Sequence, residues 1–283
     1  MTFSLVAFDR DTLSWGVAVA SKCLAVGHAV PWGAAGTGAV ATQALANLAY
    51  GRDALVRLEE GASAEEAVRE IVEPDPLKLQ RQVGVVDAQG RAANYTGPDC
   101  LPWAGGIIDG EIAAQGNILA GEQVLTAMIG AYREATDVPF VGRLVRALEH
   151  GEAAGGDRRG KQSACVRVWR EGAAYGGGLD VAVDLRVDDD PEPVVELKRL
   201  VELHDLYFNR PDPDTLLSFT GDLEREVTEA LERLGYSLEA YGGFRQAFEV
   251  WIGTENYEER DAPGKIDPRV LDQLRRQAAA VGG

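Results

Sequence analysis

Apolar residues open the chain in two short runs, 3–8 and 15–20, separated by the turn-forming Asp9-Arg10-Asp11-Thr12. Runs of this length, bounded by turn residues, predict a hairpin of buried strands. A loop punctuated by glycines, from Val26-Gly27-His28 to Gly36-Thr37-Gly38, leads to a third strand over 39–42. Two helical patterns follow, roughly 47–60 and 64–72. The second opens with Ser63-Ala64-Glu65-Glu66, a capping box in which the serine and the second glutamate satisfy orphan amides reciprocally. Residues 82–86 and 92–95 flank Asp87-Ala88-Gln89-Gly90 and predict a second hairpin, and 111–116 predicts a further strand.

Helical spacing returns over 122–133 and 140–151, where Val141, Leu144, Val145 and Leu148 share one face. Beyond a glycine-rich break, 163–170 and 181–187 alternate as strands and 193–207 reads as a helix. Strand pairs, then helix pairs, then strand pairs again is the order of a layered α+β sandwich, not of a doubly wound sheet. Asn209-Arg210-Pro211-Asp212-Pro213-Asp214 interrupts the pattern and divides a body, 1–208, from a tail, 209–283. In the tail Leu223, Val227, Leu231 and Leu234 form one apolar stripe, closed by Gly235, and Phe244, Phe248 and Trp251 form another. A last helix is expected over 268–279. A helical module of this size is marginal alone.

The formal net charge of −17 disfavours nucleic acid and anionic membrane surfaces as partners. Cys23, Cys100 and Cys165 are odd in number and far apart, so neither a disulfide framework nor a zinc site is indicated. With no signal-like leader and no apolar stretch of about 18 residues, a cytoplasmic protein is expected. No cofactor is called for. Gly176-Gly177-Gly178 lacks the context of a phosphate loop, and Asp188-Asp189-Asp190 reads as a helix cap rather than a cation site.

The candidate chemistry begins at Thr2. Removal of Met1 would leave a threonine amine beside its own hydroxyl, and an α-amine titrates at roughly 7.7 to 8.0, so it can act as a base near neutral pH. Ser4 faces the same side of the strand, to orient the amine or simply to face the core. Asn117, at a strand end, is a candidate amide donor to an oxyanion. The loop 155–163 gathers polar groups before an apolar strand: Asp157 to orient the amine or grip a substrate ammonium, Arg158 to clamp a carboxylate, with Arg159, Lys161, Gln162 and Ser163 beside them. The same loop also reads as a helix C-cap with a solvated turn. Ser21, His28, Thr42 and Gln43 are candidate lining residues; His150 and His204 read as surface residues.

Several segments carry a family resemblance: Met1-Thr2-Phe3-Ser4-Leu5-Val6-Ala7, Gly16-Val17-Ala18-Val19-Ala20-Ser21-Lys22, Gly38-Ala39-Val40-Ala41-Thr42-Gln43-Ala44, Ala114-Gln115-Gly116-Asn117, Gly155-Gly156-Asp157-Arg158-Arg159-Gly160-Lys161-Gln162-Ser163-Ala164 and Asp184-Leu185-Arg186-Val187-Asp188-Asp189. On these the body resembles the bacterial family known as domain of unknown function 1028. That resemblance implies a four-layer αββα sandwich of the N-terminal-nucleophile hydrolase type. The tail, with Leu234-Gly235-Tyr236 and Trp251-Ile252-Gly253-Thr254-Glu255-Asn256, resembles a peptidoglycan-binding-like module.

The implied activity is hydrolysis of a small amide, γ-glutamyl-like or peptide bond by Thr2. The alternative is a catalytically silent sandwich serving binding or assembly, with the tail as a contact module for cell-wall fragments or for a homo-oligomer. The second strand also resembles that of proteasome β subunits, but Ala20 stands where those carry an aspartate, and Thr42 and Gln43 where they place a lysine.

Overall fold

The computed structural model describes residues 2–281, in two compact units divided between Val201 and Glu202. The first unit opens with the expected hairpin, β1 (Thr2–Asp9) and β2 (Ser14–Ser21), every residue of which is buried. They lie at the centre of a six-stranded antiparallel sheet in the order β10-β9-β2-β1-β8-β7. Its other strands are β7 (Gly105–Asp109), β8 (Ile112–Asn117), β9 (Ser163–Trp169) and β10 (Val181–Val187). A second sheet has the order β3-β4-β5-β6, from β3 (Pro31–Ala34), β4 (Gly38–Ala44), β5 (Arg81–Asp87) and β6 (Ala92–Thr96).

Side chains alternate between the faces of a strand, and β1 uses both. Phe3, Leu5 and Ala7 join the core formed with α4 (Gln123–Glu134) and α5 (Phe140–Ala153), together with Val194 and Leu197 of α6 (Pro193–Phe208). Val6 and Phe8 join a different core, with Val17 and Val19 of β2 and with Ala39, Ala41 and Val86 of the second sheet. The two sheets therefore meet face to face across β1, β2, β4 and β5. Val40, Val83 and Val85 point the opposite way, against α2 (Ala49–Glu59) and α3 (Ala64–Val72). The capping box forms as expected: Ser63 Oγ accepts from the Glu66 amide, and the Glu66 carboxylate accepts from the Ser63 amide.

Within the first unit, two strands and an α-helix were not legible. The glycine loop holds a one-turn helix, α1 (Val26–Ala29), and β3, while β7 precedes the expected strand at 112. Both strands are short sheet edges containing proline or paired glycines, where apolar alternation is weakest.

The second unit packs α7 (Asp222–Arg233), α9 (Phe244–Thr254) and α10 (Pro268–Val281) around Val227, Leu231, Phe248, Trp251 and Leu274. A one-turn helix, α8 (Leu238–Tyr241), lies between the first two. Its one deeply buried cation, Arg260 among the described residues, is held by Asp267 at 2.5 Å and by the Leu206 carbonyl at 2.8 Å. No helix among the described residues is long and apolar enough to cross a membrane.

Candidate active site

Thr2 begins β1 on the face turned toward the second sheet, and only 6% of it is exposed. Across one flank it is in register with Asn117 of β8. Across the other, the pairing Phe3↔Ala20 carries Ser21 alongside it, and Thr2 Oγ1 lies 3.1 Å from Ser21 Oγ. Ser4, two residues on, is fully buried. Its hydroxyl donates to Gln43 Oε1 at 2.7 Å and accepts from Gln115 Nε2 at 2.7 Å.

Glutamines from the opposite sheet complete a network between the layers. Gln43 and Gln82 are register partners on β4 and β5. Gln43 Nε2 donates to Gln82 Oε1 at 2.8 Å and approaches the Thr2 carbonyl at 3.4 Å. Gln82 Oε1 also accepts from Asn117 Nδ2 at 2.9 Å, while its own amide donates to the Gly116 carbonyl and Thr96 Oγ1. Every side chain in this network is a neutral amide or hydroxyl. Burial of such groups is tolerable because nearly all find partners, and the connected set fixes each rotamer. The exception is Gln115 Oε1, which is buried and accepts no hydrogen bond. That oxygen sits over Gly84, where an added Cβ would come within 1.9 Å of it, so the glycine makes room for the glutamine of the facing sheet.

At the same end of β2, the loop after α5 turns back on itself. Gly155 and Gly156 have φ of +115° and +46°, a conformation few residues other than glycine adopt. They deliver Asp157, whose side chain is 2% exposed, to the end of β2. One carboxylate oxygen accepts from the Lys22 amide at 2.9 Å, the other from the Arg159 amide at 2.9 Å, and Arg159 pairs with the group at 3.2 Å. A depression of about 160 Å³ lies beside this stitch, lined among others by Phe3, Ala20, Ser21, Glu152, Asp157 and Lys161. Lys161 Nζ bridges Glu152 at 2.8 Å and Glu192 at 2.5 Å. Burial alone would lower the Lys161 pKa, but these two carboxylates outweigh it and raise the ammonium above its ordinary value.

Of the residues singled out in the sequence, Thr2, Ser4, Ser21, Gln43 and Asn117 converge between the sheets, and Asp157 and Ser21 share the depression. Thr42 does not line this space. Strand alternation turns it to the far face of β4 with Val40, and its hydroxyl donates to the Asn47 carbonyl at 3.1 Å. Ser163 is a staple: it accepts from the Val26 amide and donates to the Cys23 carbonyl. Arg158 is exposed and donates to the Pro102 carbonyl, and Gln162 donates to Asp189. His28 is exposed on α1 and lies outside the lining of the depression. Asp190 accepts from the Glu192 amide at the start of the following helix. Among the described residues no group of His, Cys, Asp or Glu is arranged to hold a metal ion.

Ala20 faces the helical core with Phe3, and the β2 residue beside Thr2 is Ser21. Sequence reasoning passed over Gln82 and Glu152, and gave Gln115 and Lys161 no role of their own. A signal for Gln82 and Gln115 was present, since each is an uncharged amide bordering the apolar run of a strand that is buried throughout.

With the geometry in place, the comparisons agree on family. Residues 2–197 match the profile described as "Family of unknown function (DUF1028)", and the chain belongs to that family. Residues 207–274 match the profile described as "Putative peptidoglycan binding domain". A crystal structure of a Silicibacter pomeroyi protein of the DUF1028 family superposes with a TM-score of 0.66 at 30% identity, covering 80% of this chain and 92% of that one. Anbu, the ancestral β-subunit, from Yersinia bercovieri gives a TM-score of 0.32 at 11% identity, covering 72% of this chain and 96% of that one. No curated protein matches the chain.

Proposed function

We propose that the body is an αββα sandwich of the N-terminal-nucleophile type, and that Thr2, freed by removal of Met1, attacks a small amide, γ-glutamyl-like or peptide bond. The hydroxyl adds to the carbonyl carbon while the threonine's own amine accepts its proton. That proton then passes to the departing amine, an ester to Thr2 Oγ1 remains, and water hydrolyses it. Ser21 holds the hydroxyl, and Asn117, with one amide hydrogen given to Gln82, keeps its second for the developing oxyanion. The observation that carries this reading is the 3.1 Å approach of Thr2 Oγ1 to Ser21 Oγ at the end of a buried polar network. The test is the intact mass of the mature protein together with a screen of small amides. A chain lacking Met1, with hydrolysis abolished by Thr2→Ala, supports the reading; retained Met1 removes the amine on which it depends.

One observation favours a second reading, a catalytically silent binding or assembly protein: among the described residues, the side chains joined in the network, Ser4, Gln43, Gln82, Gln115 and Asn117, are all neutral amides and hydroxyls. In that reading the tail provides the contact, with cell-wall fragments or with another copy of the chain, in the cytoplasm. The match over residues 207–274 supports the tail's part in it.

A further inference from the structure

We propose that the depression beside Ser21 binds a small primary ammonium compound, with Glu152 as its counter-ion and Phe3, Ala20 and Pro193 packing against its alkyl portion. The size sets the first limit. At about 160 Å³ the space is close to that of an engineered cavity of about 150 Å³ that accepts benzene, so it holds a group of about six non-hydrogen atoms. The hydrogen-bonding inventory sets the charge. The amides of Gly155, Gly156 and Gly160, which would otherwise greet an anion, donate to the carbonyls of Glu152, Gly151 and Asp157. Asp157 is fully engaged by Lys22, Arg159 and the loop backbone. An anionic ligand would find only Lys161, already held by two carboxylates.

A cation meets the opposite situation. Glu152, whose side chain is 15% exposed, is bound by Lys161, and Lys161 has Glu192 as a second partner. A ligand ammonium can therefore replace Lys161 at Glu152 while Lys161 keeps a counter-ion. The nearby Lys22 ammonium is directed to the Lys161 carbonyl and does not compete for Glu152. Phe3 and Ala20 line the depression from the face of the sheet opposite the Thr2 side chain, so this binding site stands independently of the nucleophile reading.

The test is a titration of the full-length protein with n-butylammonium, butanoate and 1-butanol, followed by the amide resonances of Gly155, Gly156 and Gly160. Saturable shifts with butylammonium are expected, at a Kd at least tenfold below those of the acid and the alcohol. Glu152→Gln should weaken butylammonium at least tenfold, and Lys161→Met, which removes the competing cation, should tighten it. Equal binding of the three compounds, an unaffected Glu152→Gln, or a Lys161→Met protein with an otherwise unchanged spectrum and weaker binding would each overturn the proposal. Thr2→Ala separates the two readings: it should abolish hydrolysis and leave ammonium binding intact.

Discussion

Thr2 Oγ1 and Ser21 Oγ stand 3.1 Å apart, hydroxyl to hydroxyl, at the matching ends of two adjacent central strands. The antiparallel register makes this contact unavoidable, since Phe3 and Ala20 pair on the opposite face. Its functional weight can be measured. Loss of a buried hydrogen-bond partner, at about 1–3 kcal/mol, corresponds to roughly fivefold to 150-fold in rate. Ser21→Ala should lower kcat/KM for amide hydrolysis by about that factor, and Thr2→Ala should abolish it. In both wild type and Ser21→Ala the rate should rise with pH as the α-amine loses its proton, around 7.7 to 8.0 for an ordinary terminus. A rate that falls over that range contradicts the amine's role as base.

Gly84 and Gln115 offer a structural test of the interface between the sheets. Gly84→Ala places a methyl group where Gln115 Oε1 lies, and overpacking of this kind costs about 1–3 kcal/mol. Because Gln115 is the obstacle, Gln115→Ala in the same chain should recover much of that loss. A double-mutant cycle by urea unfolding reads the coupling directly. Additive effects would mean that the two side chains do not meet.

Asp75 links the loop after α3 to β5, and its titration predicts part of the acid sensitivity of this region. Burial raises its pKa, but the Leu77 amide, Arg81, Tyr50 and Asn47 together outweigh burial and bring it to about 2, from 3.8. A carboxylate whose folded pKa is depressed contributes stability above its unfolded value. That contribution fades as pH falls from about 4 toward about 2. Stability measured over this window should therefore fall more steeply in wild type than in Asp75→Asn. Parallel profiles would show that the carboxylate is not held as described.

Much of the fold could be read from local pattern. The hairpin of β1 and β2 and the paired helices followed from short apolar runs, helical spacing and one capping box, all signals contained within a few residues. The one-turn helix α1 and the edge strands β3 and β7 were missed because pairing to a neighbouring strand, not composition, defines short edges. The site divides in the same way. Thr2 and Ser4 share a face by alternation along a single strand; of the neighbours Thr42 and Gln43 it is Gln43 that turns to the other sheet, because alternation fixes which residues share a face without saying which face meets that sheet. Gln82, Gln115 and Glu152 reach the site only through contacts between residues distant in sequence.

The proposed hydrolysis requires that Thr2 carry an α-amine released from Met1 and a reactive hydroxyl. Incubation with a threonine-directed electrophile, such as a β-lactone, followed by peptide mapping by mass spectrometry tests it most directly. A single adduct is expected on Thr2 of a chain lacking Met1, lost in Thr2→Ala and slowed in Ser21→Ala. A chain that retains Met1 and yields no adduct, or the same adduct in Thr2→Ala, would contradict it.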